Sequence, residues 1–157
     1  MKAITLHQPW ASLICDRHKS SETRSWAPTR SLIGQTIAIH AGKNRECIDW
    51  FPDFYGDGKS LPLGAIVCTA RLAGVFQVSV IENSKIEGKA CDQHDHYHDI
   101  AYSENRSASV VIDDMGDYSL GRWIWCVDEV KPVNRIVPIR GYQGLWDVDV
   151  DFVMGLF

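Results

Sequence analysis

The sequence predicts an α+β fold, a small and mostly antiparallel β-barrel with two or three short helices packed on it. Three observations lead there. About six short runs alternate apolar and polar residues between Gly and Pro breaks, the pattern of half-buried strands rather than of long helices. The chain has 157 residues, 45% of them hydrophobic and 23% charged, enough for one core without a disulfide or structural metal. Its longest apolar run, Leu63 to Cys68, is broken by Gly64 and falls far short of the roughly 20 residues that cross a bilayer, so no membrane partner is expected.

The elements follow in order. Ala3 to Leu6 alternates as a strand, and Gln8 to Cys15 reads as a helix with Pro9 in its first turn and Trp10, Leu13 and Ile14 on one face. Glu22 to Trp26 alternates again, with Glu22, Arg24 and Trp26 on one side. Pro28 and Gly34 bracket a loop before the strand Thr36 to Ala41, and Asn44 is placed to cap a short helix over Arg45 to Trp50. Phe51 to Pro62 is a Gly-, Pro- and Asp-rich loop, and Leu63 to Val80 a long strand bent at Gly64 and Gly74. Glu82 to Gly116 is polar, with little periodicity beyond Ser109 to Ile112, and reads as a variable insertion over 82–116 within a single domain spanning 1–157. Strands return at Arg122 to Val127, Val133 to Ile139 and Leu145 to Val150.

The formal charge of -4 is unevenly spread, +3 over residues 1–50 and -7 over 51–157. An anionic ligand must therefore be met by a local site in the first fifty residues rather than by a general basic field. The five cysteines are scattered and lack CxxC spacing, which suits neither a disulfide framework nor a metal site. The first nine residues have no apolar core and no small-residue cleavage site, so the expected location is the cytoplasm. No cofactor is expected.

Lys19 to Trp26 concentrates a cation, a carboxylate, a guanidinium and an indole where a helix hands over to a strand. Glu22 and Arg24, on one face, can pair with each other or together read the polar edge of a planar ligand. Lys19, three residues before Glu22, can act as a base or nucleophile if desolvated beside a cation. The plain alternative is a surface ion pair on an edge strand.

The stretch Ile4 to Ile14, with His7-Gln8-Pro9-Trp10-Ala11-Ser12 at its centre, followed by Lys19-x-x-Glu22-x-Arg24-Ser25-Trp26 and Ile37 to Lys43, closely resembles the ASCH domain. This is the homology domain of the activating signal cointegrator, in the PUA-like superfamily. Gly64, Gly121 to Trp125 and Gly141 to Asp147 look like the family's later blocks. The hallmark GxKxxExR departs at one position, where Arg17 stands in place of the usual glycine. The resemblance implies a PUA-like pseudobarrel with a cleft lined by the motif, binding RNA, single-stranded nucleic acid or a modified nucleobase or nucleoside. Some small relatives are amidohydrolases on N4-acylated cytidine that use a Lys, a Thr and a Glu, and others have been described as ribonucleases. Their lysine matches Lys19, while their threonine falls at Glu22, and a carboxylate is no equivalent of a hydroxyl. The competing readings are thus a base reader, a hydrolase with Lys19 and Glu22 as its catalytic pair, and a protein-interaction module with an acidic surface.

Further candidates border the expected cleft. Trp10 and Trp26 offer rings on which a base can stack, against the alternative of core packing. The Gln8 amide either orients a ligand or caps the first helix. His40 ends a strand near the cleft mouth or is a satisfied buried histidine, and Lys43 is solvated and a candidate phosphate contact. Tyr118 and Arg122 approach from another strand. His94, His96 and His98 alternate between Cys91 and Asp99, a set that would suit zinc or nickel on one strand face and otherwise forms a solvated loop.

Overall fold

The structure, a computed structural model, describes residues 1–82, 85–91, 97–101 and 115–157, with residues 79–82, 85–91 and 97–101 described through their backbone alone. It has an α+β fold whose chain forms two compact units. The first takes Met1–Lys19, Thr36–Ala70 and Glu129–Phe157, the second Ser20–Gln35 and Arg71–Asp128.

In the first unit β1 (Lys2–Leu6) pairs in parallel with β3 (Thr36–Ala41), placing Ala3 beside Ala38 and Thr5 beside His40. On its other edge β1 pairs antiparallel with β8 (Leu145–Asp147), Ala3 opposite Trp146. The start of β4 (Ala65–Glu82) follows β3, giving the order β4-β3-β1-β8. Period-two alternation puts Ala3, Thr5, Ala38 and His40 on one face. Ala3 and Ala38 there join a core with Ile66, Trp146, Val148, Val153 and Leu156. The last two come from, or just follow, α3 (Val150–Met154), which Asp149 starts by accepting the Phe152 N–H at 3.0 Å. The expected last strand is thus shorter than Leu145 to Val150 and turns into a helix.

Helix α1 (Trp10–Cys15) buries Ala11, Ser12, Leu13 and Ile14 and follows a cis Gln8–Pro9 peptide bond. Its C-terminal end is a Schellman turn. The Arg17 N–H reaches the Ile14 carbonyl (3.0 Å) and the His18 N–H the Leu13 carbonyl (2.9 Å), with Arg17 itself at φ 62°. The helix expected over Arg45 to Trp50 is replaced by turns, and α2 (Pro52–Tyr55) forms just beyond, where Pro52 supplies the first-turn residue that needs no N–H partner. Val133 to Ile139 is not a strand: only Pro138 bridges to Ala65. Prolines at 132 and 138 deny that segment regular ladder donors.

In the second unit β2 (Ser21–Arg24) pairs antiparallel with β7 (Trp123–Pro132), Glu22 opposite Trp125 and Arg24 opposite Trp123. The order is β2-β7-β4, with β5 (Lys85–Cys91) on β4 and β6 (Tyr97–Ala101) on β5. The ladder between β4 and β5 shifts register between Val78 and Val80, a bulge-like irregularity. Part of the span expected as an insertion therefore continues the sheet. Phe76, Val78, Ile124 and Cys126 form this unit's apolar cluster, with Tyr118 against it. Among the described residues no helix is long and apolar enough to cross a membrane.

Candidate functional site

The Schellman turn explains what precedes the motif. A residue in the left-handed region closes the helix and frees the chain to leave at a sharp angle, which glycine does without steric cost. Here Arg17 takes that conformation, and its guanidinium donates to the Val130 carbonyl at 2.9 Å. The same Leu13 carbonyl that receives His18 also receives the Lys19 N–H at 3.0 Å, fixing the backbone of the motif lysine. Lys19 is 1% exposed, one of the largest fully buried side chains in the molecule.

In the second unit Glu22 and Arg24 share a face of β2, as their spacing predicts, with Arg24 Nε 3.3 Å from Glu22 Oε1. Both are largely covered, so the pair is stronger than a freely solvated one. Trp26 lies past the strand end, edge-on to Trp125 with ring centres 4.9 Å apart, and its carbonyl accepts the Trp125 indole N–H at 3.3 Å. A loop ties back onto β2. Thr23 Oγ1 accepts the Asp117 N–H (3.1 Å), and the hydroxyls of Ser21 and Tyr118 are 3.1 Å apart. Arg122 pairs with the Asp117 carboxylate, which also accepts from the Ser119 hydroxyl at 2.7 Å. The Ser119 hydroxyl, and then Arg122, pull the Asp117 carboxyl down to about 2. Tyr118 thus reaches the motif strand, while Arg122 is spent on organising its own loop.

The remaining candidates lie in the first unit. Gln8 is fully buried and engaged as a helix cap: Oε1 accepts the Ser12 N–H (3.1 Å), and Nε2 donates to Ser12 Oγ and to the Pro62 carbonyl (both 2.8 Å). Trp10 stands edge-on to Trp50 (5.5 Å) and Phe51 (6.0 Å). His40 and Lys43 line a cavity of about 520 Å³ together with Thr5, Gly42, Gly64, Pro138, Ile139, Arg140 and Gly141. None of Lys19, Glu22, Arg24 or Trp26 lines it. His40 is 2% exposed; its Nε2 is 3.1 Å from the Ile139 carbonyl, which can only accept, so Nε2 carries the proton. Burial, and then the Lys43 charge, hold the imidazole below its ordinary value, and it is neutral at pH 7.

Sequence reading missed Arg140, which completes this cavity, and one thiol pair. Cys15 and Cys68, 53 positions apart in the sequence, influence each other's thiols: Cys68 holds Cys15 below its ordinary value, Cys15 and burial push Cys68 up, and Cys15 Sγ donates to the Val67 carbonyl at 3.4 Å. Neither had a local signal, since both depend on long-range register. His94 and His96 lie outside the described residues, and of His98 only the backbone, in β6, is described.

A family model described as the ASCH domain matches residues 4–117. That match runs through the polar span after Glu82 and stops short of the blocks at Gly121 and Gly141. No curated protein matches the chain. The crystal structure of ASCH from Zymomonas mobilis is similar in fold, with a TM-score of 0.51 at 14% identity, covering 99% of this chain and 92% of that one. The structure of a serine-to-alanine mutant of the Zymomonas mobilis protein gives the same values. With more than two thirds of its length matched by the family model and nearly all of it by the fold, the chain belongs to the ASCH domain family, whose fold is PUA-like.

Proposed function

We propose that the protein reads a base of RNA, or a modified nucleobase or nucleoside, through the Lys19, Glu22 and Arg24 motif, and that it acts in the cytoplasm. The single observation that supports this most is the largely covered Glu22–Arg24 pair on the face of β2. A carboxylate beside a guanidinium presents acceptors and donors in one plane, which matches the exocyclic amine and ring edge of cytosine-type bases. Trp26 follows with its indole partly exposed, a surface against which an unstacked base can lie. The four cysteines whose side chains are described, Cys15, Cys47, Cys68 and Cys126, are free thiols, in keeping with a reducing compartment.

A hydrolase reading is favoured by one further observation, the burial of Lys19. The side chain is held in one place at the start of the motif, out of bulk water. In that reading water cleaves the N4-acyl amide of a cytidine-type nucleoside to give a carboxylic acid and the free amine, with Lys19 activating the nucleophile and Glu22 moving the proton.

One experiment tests both readings. Purified protein is incubated with N4-acylated cytidines and short RNA, with product followed by mass spectrometry and retention by filter binding. Binding without product, with base preference altered in Glu22→Gln, is the expected result. Product from the wild type and none from Lys19→Ala would establish the hydrolase. Wild-type behaviour in both variants would remove the motif from the function.

A further inference from the structure

The cavity beside His40 is lined by none of the motif residues Lys19, Glu22 and Arg24. Its lining, among the described residues, carries two side-chain cations, Lys43 and Arg140, and no carboxylate, in a chain whose net charge is -4. Its volume of about 520 Å³ lies within the range of roughly 300 to 1,000 Å³ usual for small-molecule sites. Two glycines bring the walls close together. Lys43 lies across Gly64, where a Cβ would come within 2.5 Å of its Cε, and Gly141 closes so tightly on His40 that a Cβ there would fall 2.4 Å from the ring. Thr5, beside His40 in the ladder, is held by the Trp146 indole N–H at 3.1 Å.

Next to this cavity lies a smaller one of about 260 Å³, which shares Ile139 and Arg140 and adds Tyr142 and Trp146. Arg140 stands 5.3 Å over the Tyr142 ring, which holds the guanidinium at the junction of the two spaces. The acidic residues of the smaller cavity are already committed, Asp147 to Lys2 at 2.9 Å and Asp149 to the cap of α3. A planar fork and a flexible ammonium facing one space, with no carboxylate in its described lining to compete, suit a dianion with several oxygens.

We propose that this cavity, which neither Glu22 nor Arg24 lines, binds a phosphate group, free or as the monoester of a small molecule, between Lys43 and Arg140. His40 shapes the floor through its bond to Ile139 and, being neutral, leaves charge recognition to the two cations.

The test uses isotope-labelled full-length protein titrated with cytidine 5′-monophosphate, inorganic phosphate and cytidine, following the side-chain resonances of His40 and Arg140. The monophosphate should shift both, cytidine neither, and added salt should weaken the response. Inorganic phosphate matching the monophosphate would identify free phosphate as the natural occupant; a tighter monophosphate would identify the ester. Lys43→Ala with Arg140→Ala, both at exposed positions, should cost at least about tenfold in affinity, while Glu22→Gln leaves the response intact. Signals unmoved by the monophosphate, equal His40 and Arg140 shifts with cytidine, or wild-type affinity in the double variant would overturn the proposal. Loss of the phosphate response in Glu22→Gln would overturn the assignment to a cavity that Glu22 does not line.

Discussion

Arg17 occupies a turn for which glycine is the natural residue, and the cost can be measured. A left-handed non-glycine residue costs about 1–2 kcal/mol, and the guanidinium recovers part of that, about 1 kcal/mol, through its bond to Val130. Arg17→Ala keeps the strain and loses the bond, whereas Arg17→Gly loses the bond and the strain together. Urea denaturation should therefore rank the glycine variant above the alanine variant by about 1 kcal/mol. Equal stabilities would show that the turn carries no strain. His40 makes a second prediction at this scale. Its folded value lies below 6.5, so the unfolded chain binds the proton more readily. The stability it contributes is present above pH 6.5 and is lost as pH falls toward the folded value. An NMR titration should place its midpoint below 6.5, and Lys43→Ala should raise it, because the Lys43 charge contributes to the shift. A midpoint unaffected by that substitution would separate the two side chains electrostatically.

Among the elements, α3 depends on one cap. Asp149→Ala removes the side-chain acceptor serving its first turn and should destabilise the protein by about 1 kcal/mol, read as a lower urea midpoint. An unchanged midpoint would mean that the burial of Val153 and Leu156 alone holds the helix. The sequence could not reveal α3, because Leu145 to Met154 mixes apolar and acidic residues over too short a span to separate a two-residue period from one of 3.6. By contrast, Thr36 to Ala41 was legible to the residue, since a β-branched run bounded by Gly34 and Gly42 has little else to become. Lys85 to Cys91 was missed for the opposite reason: its polar residues masked an alternation of Lys85, Glu87 and Lys89 with Ile86 and Ala90.

For the molecule as a whole, the two candidate sites differ in how far the sequence could reach them. Glu22 and Arg24 are two residues apart on one strand, so their meeting follows from the pleat alone, and motif reading found them. The phosphate cavity draws Thr5, His40, Lys43, Gly64 and Arg140 from four stretches of chain. Only the parallel register of β1 on β3 and the return of the chain after Pro138 bring them together, so His40 and Lys43 were noticed while Arg140 was not. The charge pattern misled in the same way, for the +3 of the first fifty residues pointed to one basic site there, yet one of the two cavity cations comes from the acidic remainder.

The ladder between β1 and β8 has a further consequence, for synthesis. It joins Lys2 to Asp147, 145 positions apart, so the outer hydrogen bonds of β1 wait for a partner that is synthesised much later. On the ribosome β1 can find β3 early, but Ala3 and Ala38 stay uncovered until Trp146, Val148 and Val153 emerge. An open strand edge beside an apolar face is the species that chaperones bind. The growing chain is therefore vulnerable to aggregation from the completion of β3 until Leu145 to Val153 emerge, and slow codons between those points would lengthen that exposure.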